Sequence, residues 1–504
     1  MSDSLHLARG VIITGFDGEA LDDRLAHTLG AAGFAGCVLF ARNVGSLARV
    51  RALTDSLRAL YDVPPLLAVD QEGGRVARLR DGIEELPPMM AIGATGDDDL
   101  ARRAGEQTAF DLRRAGFNVD FAPVLDLAVD PMNTVIGTRA FGSDPVLVTR
   151  LGTAFADGLT RGGIVPTFKH FPGHGSTAVD SHLALPTVRL EREVLLGRDL
   201  VPFVTVAPDA PAMMTAHVVA EAYDDGAPAT LSRKILTDLL RDRLRFSGVC
   251  FTDCMQMDAI AKGVGTVEAV AQAIAAGADC ALVSHDPELA LRAAEHLADQ
   301  VERGIIPHDR LRTAYDRVMH LRTTSAGPIP LDDTAPHPGI GREIGRRAVT
   351  LVRGVPRADA TASIVVSFES ATTEGAQGLH ARHASLPSQA PALESVSIPL
   401  VPTETDVKQA LEAIAASQRR AIVLARRAHI YPAQAAAIDE IVARAPDALV
   451  VSVREPFDIP CLGRARHLLA TYGDDLPSIA GLADVIFGSG AAYGELPVAT
   501  ASHA

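Results

Sequence analysis

Tryptophan is absent from the 504-residue chain, and its five cysteines are few and odd in number. Without Trp, a wide binding cleft lined by stacked indole rings is excluded. Cys37, Cys250 and Cys280 lie in apolar runs typical of buried strands, where a free thiol packs as a small hydrophobic group. A disulfide framework is therefore not expected.

The chain also has fewer basic than acidic residues and no long apolar segment. Its 47 Lys and Arg against 62 Asp and Glu give a formal net charge of −15, which argues against a nucleic-acid partner. No window approaches the roughly 18 consecutive apolar residues of a membrane span, and the start, MSDSLHLARG, lacks the basic and apolar regions of a secretion signal. We expect a cytoplasmic protein with no membrane partner.

Eight short apolar runs recur through the first two thirds of the sequence, with helix-like Ala-, Leu- and Arg-rich segments between them. Such alternation is typical of a parallel sheet covered by helices, and eight repeats predict an α/β fold, a (β/α)8 TIM-like barrel. The runs are VIITG from Val11, CVLF from Cys37, LLAVD from Leu66, VDFAP from Val119, VPTFKH from Val165, AMMTAH from Ala212, GVCFTD from Gly248 and CALVS from Cys280.

Four of these runs end in ionisable residues. Active sites of such barrels lie at the carboxyl ends of the strands, so we expect these side chains to share one site. A single aspartate in such a place could instead cap a helix or form a turn, but four runs with ionisable ends favour a site. The residues are Asp70 after the third run, Lys169 and His170 after the fifth, His217 after the sixth and Asp253 after the seventh.

A second domain is predicted after the barrel. A Pro-, Gly- and Asp-rich stretch without periodicity follows Arg322, which indicates a linker over residues 324–341. The barrel would then span residues 1–323 and the second domain residues 342–504. Five further apolar runs alternate with helical segments there and predict an α/β sandwich domain, because they are too few for another barrel.

The segment KHFPGHGSTAVDSH, which begins at Lys169, concentrates one lysine, three histidines and one aspartate. His170 and His174 have a spacing that suits zinc on a helix, but the Pro-Gly pair between them disfavours a helix, so no metal site is predicted. Asp180 and His182 lie two residues apart, so the carboxylate could hold one imidazole nitrogen and direct the other toward a substrate. The alternative is a solvated loop with incidental histidines.

Asp253, within FTDCMQM, is a candidate partner for this pair. Retaining glycosidases use one group to attack carbon and another to protonate the departing oxygen. Asp253 and His182 together therefore favour a two-step displacement at a glycosidic bond. Alternatively, Asp253 caps the helix that follows its strand.

Five sequence blocks follow one another in the first domain: LLAVDQEGGRVARL, NVDFAPVLDL, IGTRAFG, KHFPGHG with its following DSH, and GVCFTDCMQM. In these blocks the chain resembles glycoside hydrolase family 3, in its β-N-acetylglucosaminidase branch, over most of residues 8–320. The KHFPGHG-to-DSH block is the most specific. The second domain resembles, more weakly, the α/β sandwich of longer family members, through ALVVSVREPFDIP, HLLATYG and DVIFGSGAAYGELPV.

The resemblance implies roles for individual residues. Asp253 corresponds to the nucleophile that forms a covalent glycosyl-enzyme, and His182, paired with Asp180, to the general acid/base. Cys254 stands where many relatives carry a second acidic residue, which removes a nearby negative charge without abolishing attack. No cofactor is implied. Substrate contacts are implied for Asp70, Arg78, Arg139, Lys169 and His170, with Arg75 a neighbouring candidate for the role of Arg78.

From these observations we expect a retaining exo-hydrolase that removes terminal β-N-acetylglucosamine from small glycosides, such as cell-wall fragments in recycling. The missing Trp fits a small sugar pocket. A β-N-acetylglucosaminide phosphorylase and a β-glucosidase remain alternatives on the same scaffold. A non-catalytic carbohydrate-binding protein is a third, against which the joint presence of Asp253, Asp180 and His182 argues. We expect a structural role for the second domain.

Overall fold

The computed structural model describes residues 2–177, 185–369 and 384–500. A nine-stranded sheet and a six-stranded sheet organise two domains, and two small two-stranded sheets accompany the first. Within the described ranges, no helix is long and apolar enough to cross a membrane. The strands are β1 (Ile12–Thr14), β2 (Gly36–Leu39), β3 (Leu66–Val69), β4 (Gln71–Gly73), β5 (Val76–Ala77), β6 (Val119–Asp120), β7 (Val165–Pro166), β8 (Phe168–Phe171), β9 (Thr187–Val188), β10 (Ala212–Thr215), β11 (Val219–Ala220), β12 (Val249–Cys254), β13 (Cys280–Val283), β14 (Thr350–Arg353), β15 (Ser363–Glu369), β16 (Glu394–Pro399), β17 (Arg420–Ala425), β18 (Leu449–Ser452) and β19 (His467–Ala470).

The nine-stranded sheet forms the predicted barrel. Its strands are hydrogen-bonded in the order β7-β6-β3-β2-β1-β13-β12-β10-β8, and every pairing is parallel. The barrel has nine strands instead of eight because the fifth predicted run is divided at Thr167 into β7 and β8. These consecutive strands occupy the two edges of the sheet, and a bridge between Val124 and Lys169 helps to close it. The predicted fold class is confirmed.

Helices separate the barrel strands, as their sequence pattern predicts. Helix α5, for example, begins after Asp97, whose side chain accepts a hydrogen bond from the backbone N–H of Leu100, and it ends in two arginines that favour the negative end of the helix dipole. The helices are α1 (Asp3–Arg9), α2 (Asp23–Ala32), α3 (Leu47–Arg58), α4 (Met89–Thr95), α5 (Asp98–Arg114), α6 (Pro145–Arg161), α7 (Arg192–Gly197), α8 (Val201–Val206), a π-helix (Lys234–Arg243), α9 (Asp258–Ala261), α10 (Thr266–Ala276), α11 (Pro287–Glu302), α12 (His308–Thr324), α13 (Ile340–Ala348), α14 (Leu386–Gln389), α15 (Glu404–Ser417), α16 (Pro432–Arg444) and α17 (Leu476–Ile486).

The second domain is built on the six-stranded sheet, in the order β14-β19-β18-β17-β15-β16, with only β14 antiparallel among these strands. Residues of α15 and α16 pack on one face of the sheet, and residues of α17 pack on the other. This is the predicted α/β sandwich. Helix α12 ends at Thr324 and α13 begins at Ile340; the domain limits of 1–323 and 342–504, with a linker over 324–341, remain predictions.

Barrel side chains alternate between two cores. Val38, Phe121 and Phe251 belong to the cluster that fills the barrel interior, whereas Cys37 and Cys250 pack outward among the helices. Cys280, from β13, faces the interior cluster. All three predicted thiols are therefore buried and free.

A tight contact between α5 and α6 predicts a measurable effect on stability. A Cβ at Gly105 would lie 2.1 Å from the carbonyl oxygen of Phe155. Gly105→Ala therefore forces the helices apart, and we expect it to destabilise the fold by about 1–3 kcal/mol. The matched control is Gly30→Ala in exposed α2, where the added Cβ makes only ordinary contacts at 3.9 Å with Leu60.

Thermal unfolding monitored by circular dichroism tests this expectation. The melting temperature should fall for Gly105→Ala, whereas Gly30→Ala should raise it slightly because alanine is the better helix former by about 1 kcal/mol. Equal melting temperatures for the two variants would show that the helices do not approach as closely as described.

Candidate active site

A pocket of about 490 Å³ opens at the carboxyl ends of the barrel strands. Its size lies within the range of small-molecule sites. It brings together most of the described residues that were expected at the site from the sequence: Asp70, Arg78, Arg139, Lys169, His170 and Asp253. His217, which was expected to share the site with them, is not among the lining residues. Asp180 and His182 lie outside the described residues.

Two β-bulges aim neighbouring side chains into this pocket. Between successive pairing points, β8 advances by three residues where β10 advances by two, and β12 advances by three where β13 advances by two. Neighbours on a regular strand point to opposite faces, and an extra residue re-aims them. Consequently, Lys169 and His170 both line the pocket, and so do Asp253 and Cys254.

Lys169 is the centre of a buried ion-pair network. Its Nζ lies 2.8 Å from Oδ1 of Asp70 and 2.5 Å from Oε1 of Glu72, and its side chain is only 2% exposed. Burial opposes the charged forms, but the attraction between these groups outweighs it. The pKa of Lys169 is therefore raised, and the pKa values of Asp70 and Glu72 are lowered, so all three remain charged at neutral pH.

Glu72 also fixes Arg139. The Nε and Nη2 atoms of Arg139 donate to the two carboxylate oxygens of Glu72 over 2.7 and 2.8 Å. Burial opposes the charge, yet the carboxylate raises the pKa of Arg139 above its ordinary value. This two-point contact holds the guanidinium in one orientation beside the pocket. Sequence reasoning did not single out Glu72, although it lies in the VDQEGG block two residues after Asp70.

Arg75 and Arg78 have different environments. Arg78 donates to Oδ2 of Asp70 over 3.3 Å. Arg75 instead donates to the carbonyl oxygens of Thr134, Val135 and Ile136. Burial and the nearby cations Arg454 and Arg427 lower the pKa of Arg75 to about 9. Arg78 is thus the one of the two that contacts Asp70, and its role as a substrate contact stays a prediction.

Asp126 orients two histidines. Its Oδ2 atom lies 2.6 Å from Nδ1 of His170, and its Oδ1 atom accepts the backbone N–H of His174 over 2.6 Å. Hydrogen bonding at Nδ1 directs Nε2 of His170 toward Arg139, 3.4 Å away. Burial lowers the pKa of His174 to about 4, so this ring is neutral at neutral pH. Asp126 was also not identified from the sequence.

Asp253 lies at the end of β12. It is distant from this network in the sequence but lines the same pocket. Its Oδ1 atom accepts the backbone N–H of Cys254 over 2.6 Å. Burial raises the pKa of the Cys254 thiol, which stays neutral beside the carboxylate. His217 does not line the pocket; its Nε2 atom lies 2.9 Å from the carbonyl oxygen of Cys254 and so supports the strand end. The helix that follows has Met257 as its N-cap, so Asp253 is not the cap.

The pocket wall nearest β2 and β13 contains an aromatic ring contacted from two sides, which was also not identified from the sequence. The guanidinium of Arg42 lies 4.7 Å from the centroid of the Phe40 ring, and His285 stacks on the same ring at 5.6 Å. All three residues line the pocket. In the described ranges, no group of three or more His, Cys, Asp or Glu residues could hold a metal ion.

The chain is similar to several known glycoside hydrolases. A beta-hexosaminidase of Chromobacterium violaceum is 42% identical over 297 residues, which are 56% of this chain and 81% of that protein. The structure of a glycoside hydrolase family 3 beta-N-acetylglucosaminidase from Paenibacillus sp. str. FPU-7 has a TM-score of 0.90 and 34% identity and covers 99% of each chain. NagZ from Neisseria gonorrhoeae, in complex with N-trifluoroacetyl-D-glucosamine, covers 62% of this chain and 98% of its own, with 31% identity and a TM-score of 0.53.

The family profile of the glycosyl hydrolase family 3 N terminal domain matches residues 11–321. This range contains the barrel strands, the ion-pair network around Lys169 and the carboxylate of Asp253. The resemblance noted in the sequence blocks is thereby confirmed. The chain belongs to glycosyl hydrolase family 3.

Proposed function

We propose that this glycoside hydrolase is a retaining exo-β-N-acetylglucosaminidase that acts on small β-linked N-acetylglucosamine glycosides, including cell-wall fragments. The observation that carries the proposal is the convergence of Asp253 with Asp70, Arg139 and Lys169 in one small pocket. The names of the relatives, beta-hexosaminidase and beta-N-acetylglucosaminidase, support the choice of sugar.

The ion-pair network is suited to hold the terminal sugar. Asp70 can accept hydrogen bonds from sugar hydroxyls, and Lys169 and Arg139 can donate to them. Because the network is already assembled, the groups need little reorganisation when the sugar binds. Bonds of this kind that strengthen in an oxocarbenium-like transition state contribute several kcal/mol to catalysis.

The proposed reaction has two steps. A carboxylate oxygen of Asp253 attacks the anomeric carbon, the glycosidic C–O bond breaks, and His182 gives a proton to the departing oxygen. Water then attacks the same carbon, His182 takes its proton, and Asp253 leaves with the electron pair of the ester bond. Asp180 would hold the imidazole of His182 in the orientation that proton transfer requires.

Thr177 is the last described residue before Asp180 and His182, and it contacts the pocket wall. Its Oγ1 atom donates to the carbonyl oxygen of His174 over 3.0 Å and also lies 2.9 Å from Nδ1 of that ring. His174 lines the pocket. The proposal requires that His182 reaches the glycosidic oxygen of the bound sugar, since proton transfer needs hydrogen-bond distance.

Asp253→Asn should abolish the covalent step. We expect kcat on an aryl β-N-acetylglucosaminide to fall at least about a thousandfold, because the amide is a poor nucleophile. Asp242→Asn, at an exposed carboxylate of the π-helix, is the matched control and should leave kcat unchanged. Trapping the wild type with a 5-fluoro glycosyl donor, followed by peptide mapping, should label Asp253; a label on another residue would contradict the assignment.

Whether water or phosphate accepts the sugar from the enzyme can be determined from the product. With the aryl β-N-acetylglucosaminide as substrate, we expect free sugar as the product even at saturating inorganic phosphate. A sugar phosphate as the main product would identify a phosphorylase. The aryl β-glucoside, assayed in competition, should be the poorer substrate by kcat/KM; preference for it would identify a β-glucosidase, and no turnover of either glycoside would favour a non-catalytic binding protein.

Removing the charge of Glu72 should weaken both binding and folding. Glu72→Gln leaves Arg139 without its carboxylate partner and Lys169 with Asp70 alone, which costs about 3–5 kcal/mol of stability and displaces both side chains. We therefore expect a lower melting temperature and a higher KM. Glu343→Gln, which breaks a partly exposed pair with Arg103, should cost at most about 1 kcal/mol. Equal effects of the two substitutions would contradict the role assigned to Glu72.

A further inference from the structure

The second domain contacts the loop that carries Arg139. We define the Arg139 loop as residues 129–143, between β6 and α6. In this loop the carbonyl oxygen of Pro131 lies 3.0 Å from Nε2 of His429, which belongs to the second domain. On the other side of the ring, Nδ1 of His429 lies 2.6 Å from Oδ1 of Asp458.

Both partners of the His429 ring are hydrogen-bond acceptors. A carbonyl oxygen cannot donate, and the Asp458 oxygen also accepts the backbone N–H of His429 over 3.0 Å, as expected of a carboxylate. The side chains of His429 and Asp458 are 7% and 0% exposed, and the ring of Phe457 packs edge-on against the imidazole at 5.9 Å. The imidazole is therefore held in a fixed orientation.

The loop connects this contact to the pocket. Asn133, two residues after Pro131, donates to the carbonyl oxygens of His174 and Gly175 and accepts the backbone N–H groups of Val135 and Ile136. Val135 lines the pocket. A displacement of Pro131 would therefore be transmitted to the pocket wall through a short stretch of backbone and the hydrogen bonds of Asn133.

The second domain makes another contact further along the same loop. Glu455 of the second domain is 3% exposed, and its Oε1 atom lies only 2.6 Å from where a Cβ of Gly137 would stand. Gly137 has φ +44°, and it begins the 3-10 turn that ends at Arg139. Any larger residue at Gly137 would displace the carboxylate. The second domain thus touches the Arg139 loop both near its start and two residues before Arg139.

We propose that His429 is a positioning residue for the sugar site, and that the second domain holds the pocket wall through it. The proposal rests on the proposed function, because Arg139 is assigned to sugar binding there. The bond that matters is the one from Nε2 to Pro131, since it crosses between the domains. The bond to Asp458 orients the ring.

Two amide substitutions of His429 in the full-length chain distinguish the effects of these two hydrogen bonds. His429→Gln places an amide N–H near the position of Nε2 and keeps the contact with Pro131. His429→Asn places one near Nδ1 and keeps only the contact with Asp458. We expect KM for the aryl β-N-acetylglucosaminide to rise roughly tenfold in His429→Asn with a smaller change in kcat, and to stay within about threefold of wild type in His429→Gln.

Hydrogen exchange of peptides from the Arg139 loop gives a readout that does not depend on activity. Exchange over residues 129–143 should be faster in His429→Asn than in the wild type and His429→Gln, with other barrel peptides unchanged. Equal KM values and equal exchange in the two variants would overturn the inference. An inactive wild type with the expected exchange pattern would instead contradict the proposed function alone.

Discussion

The site depends on the burial of one ammonium group between two carboxylates. Lys169 comes from β8, whereas Asp70 and Glu72 follow β3, on the other side of β6 and β7 in the sheet. A buried charge is tolerated only when its partners are well placed, so these strands must keep their relative positions for the chain to fold. The same requirement fixes Arg139, because Glu72 is shared. Folding and the proposed sugar binding therefore rely on the same charges.

The bulges explain how one strand can direct more functional side chains into the pocket than the regular alternation of side chains would allow. A regular strand gives the pocket one residue in two, and the next residue faces the helices. One extra residue in β8 and one in β12 let adjacent residues turn toward the pocket. In β12 this places Asp253 beside the neutral thiol of Cys254, so the carboxylate has no second negative charge from its neighbour.

The sequence was sufficient for features that depend on local patterns. The apolar runs predicted the barrel, and their polar ends predicted that Asp70, Lys169 and Asp253 lie at one end of it. The division of the fifth run at Thr167 was not predicted, although Pro166, which cannot donate a ladder hydrogen bond and is typical of edge strands, lies directly before it. Glu72 was missed for a different reason: its partner Arg139 is 67 residues away, and only the closed barrel brings the two together.

The Arg139 loop shows why a second domain can matter to a site that the barrel forms. The loop has little regular structure before its 3-10 turn, so side chains satisfy many of its carbonyl oxygens. Arg75 and His429 donate to this backbone from opposite domains. Backbone hydrogen bonds inside the loop are local turns, such as those from Asn133 to Asp130 and from Arg139 to Ile136. Side chains from outside the loop therefore help to set its position, and one of them belongs to the second domain.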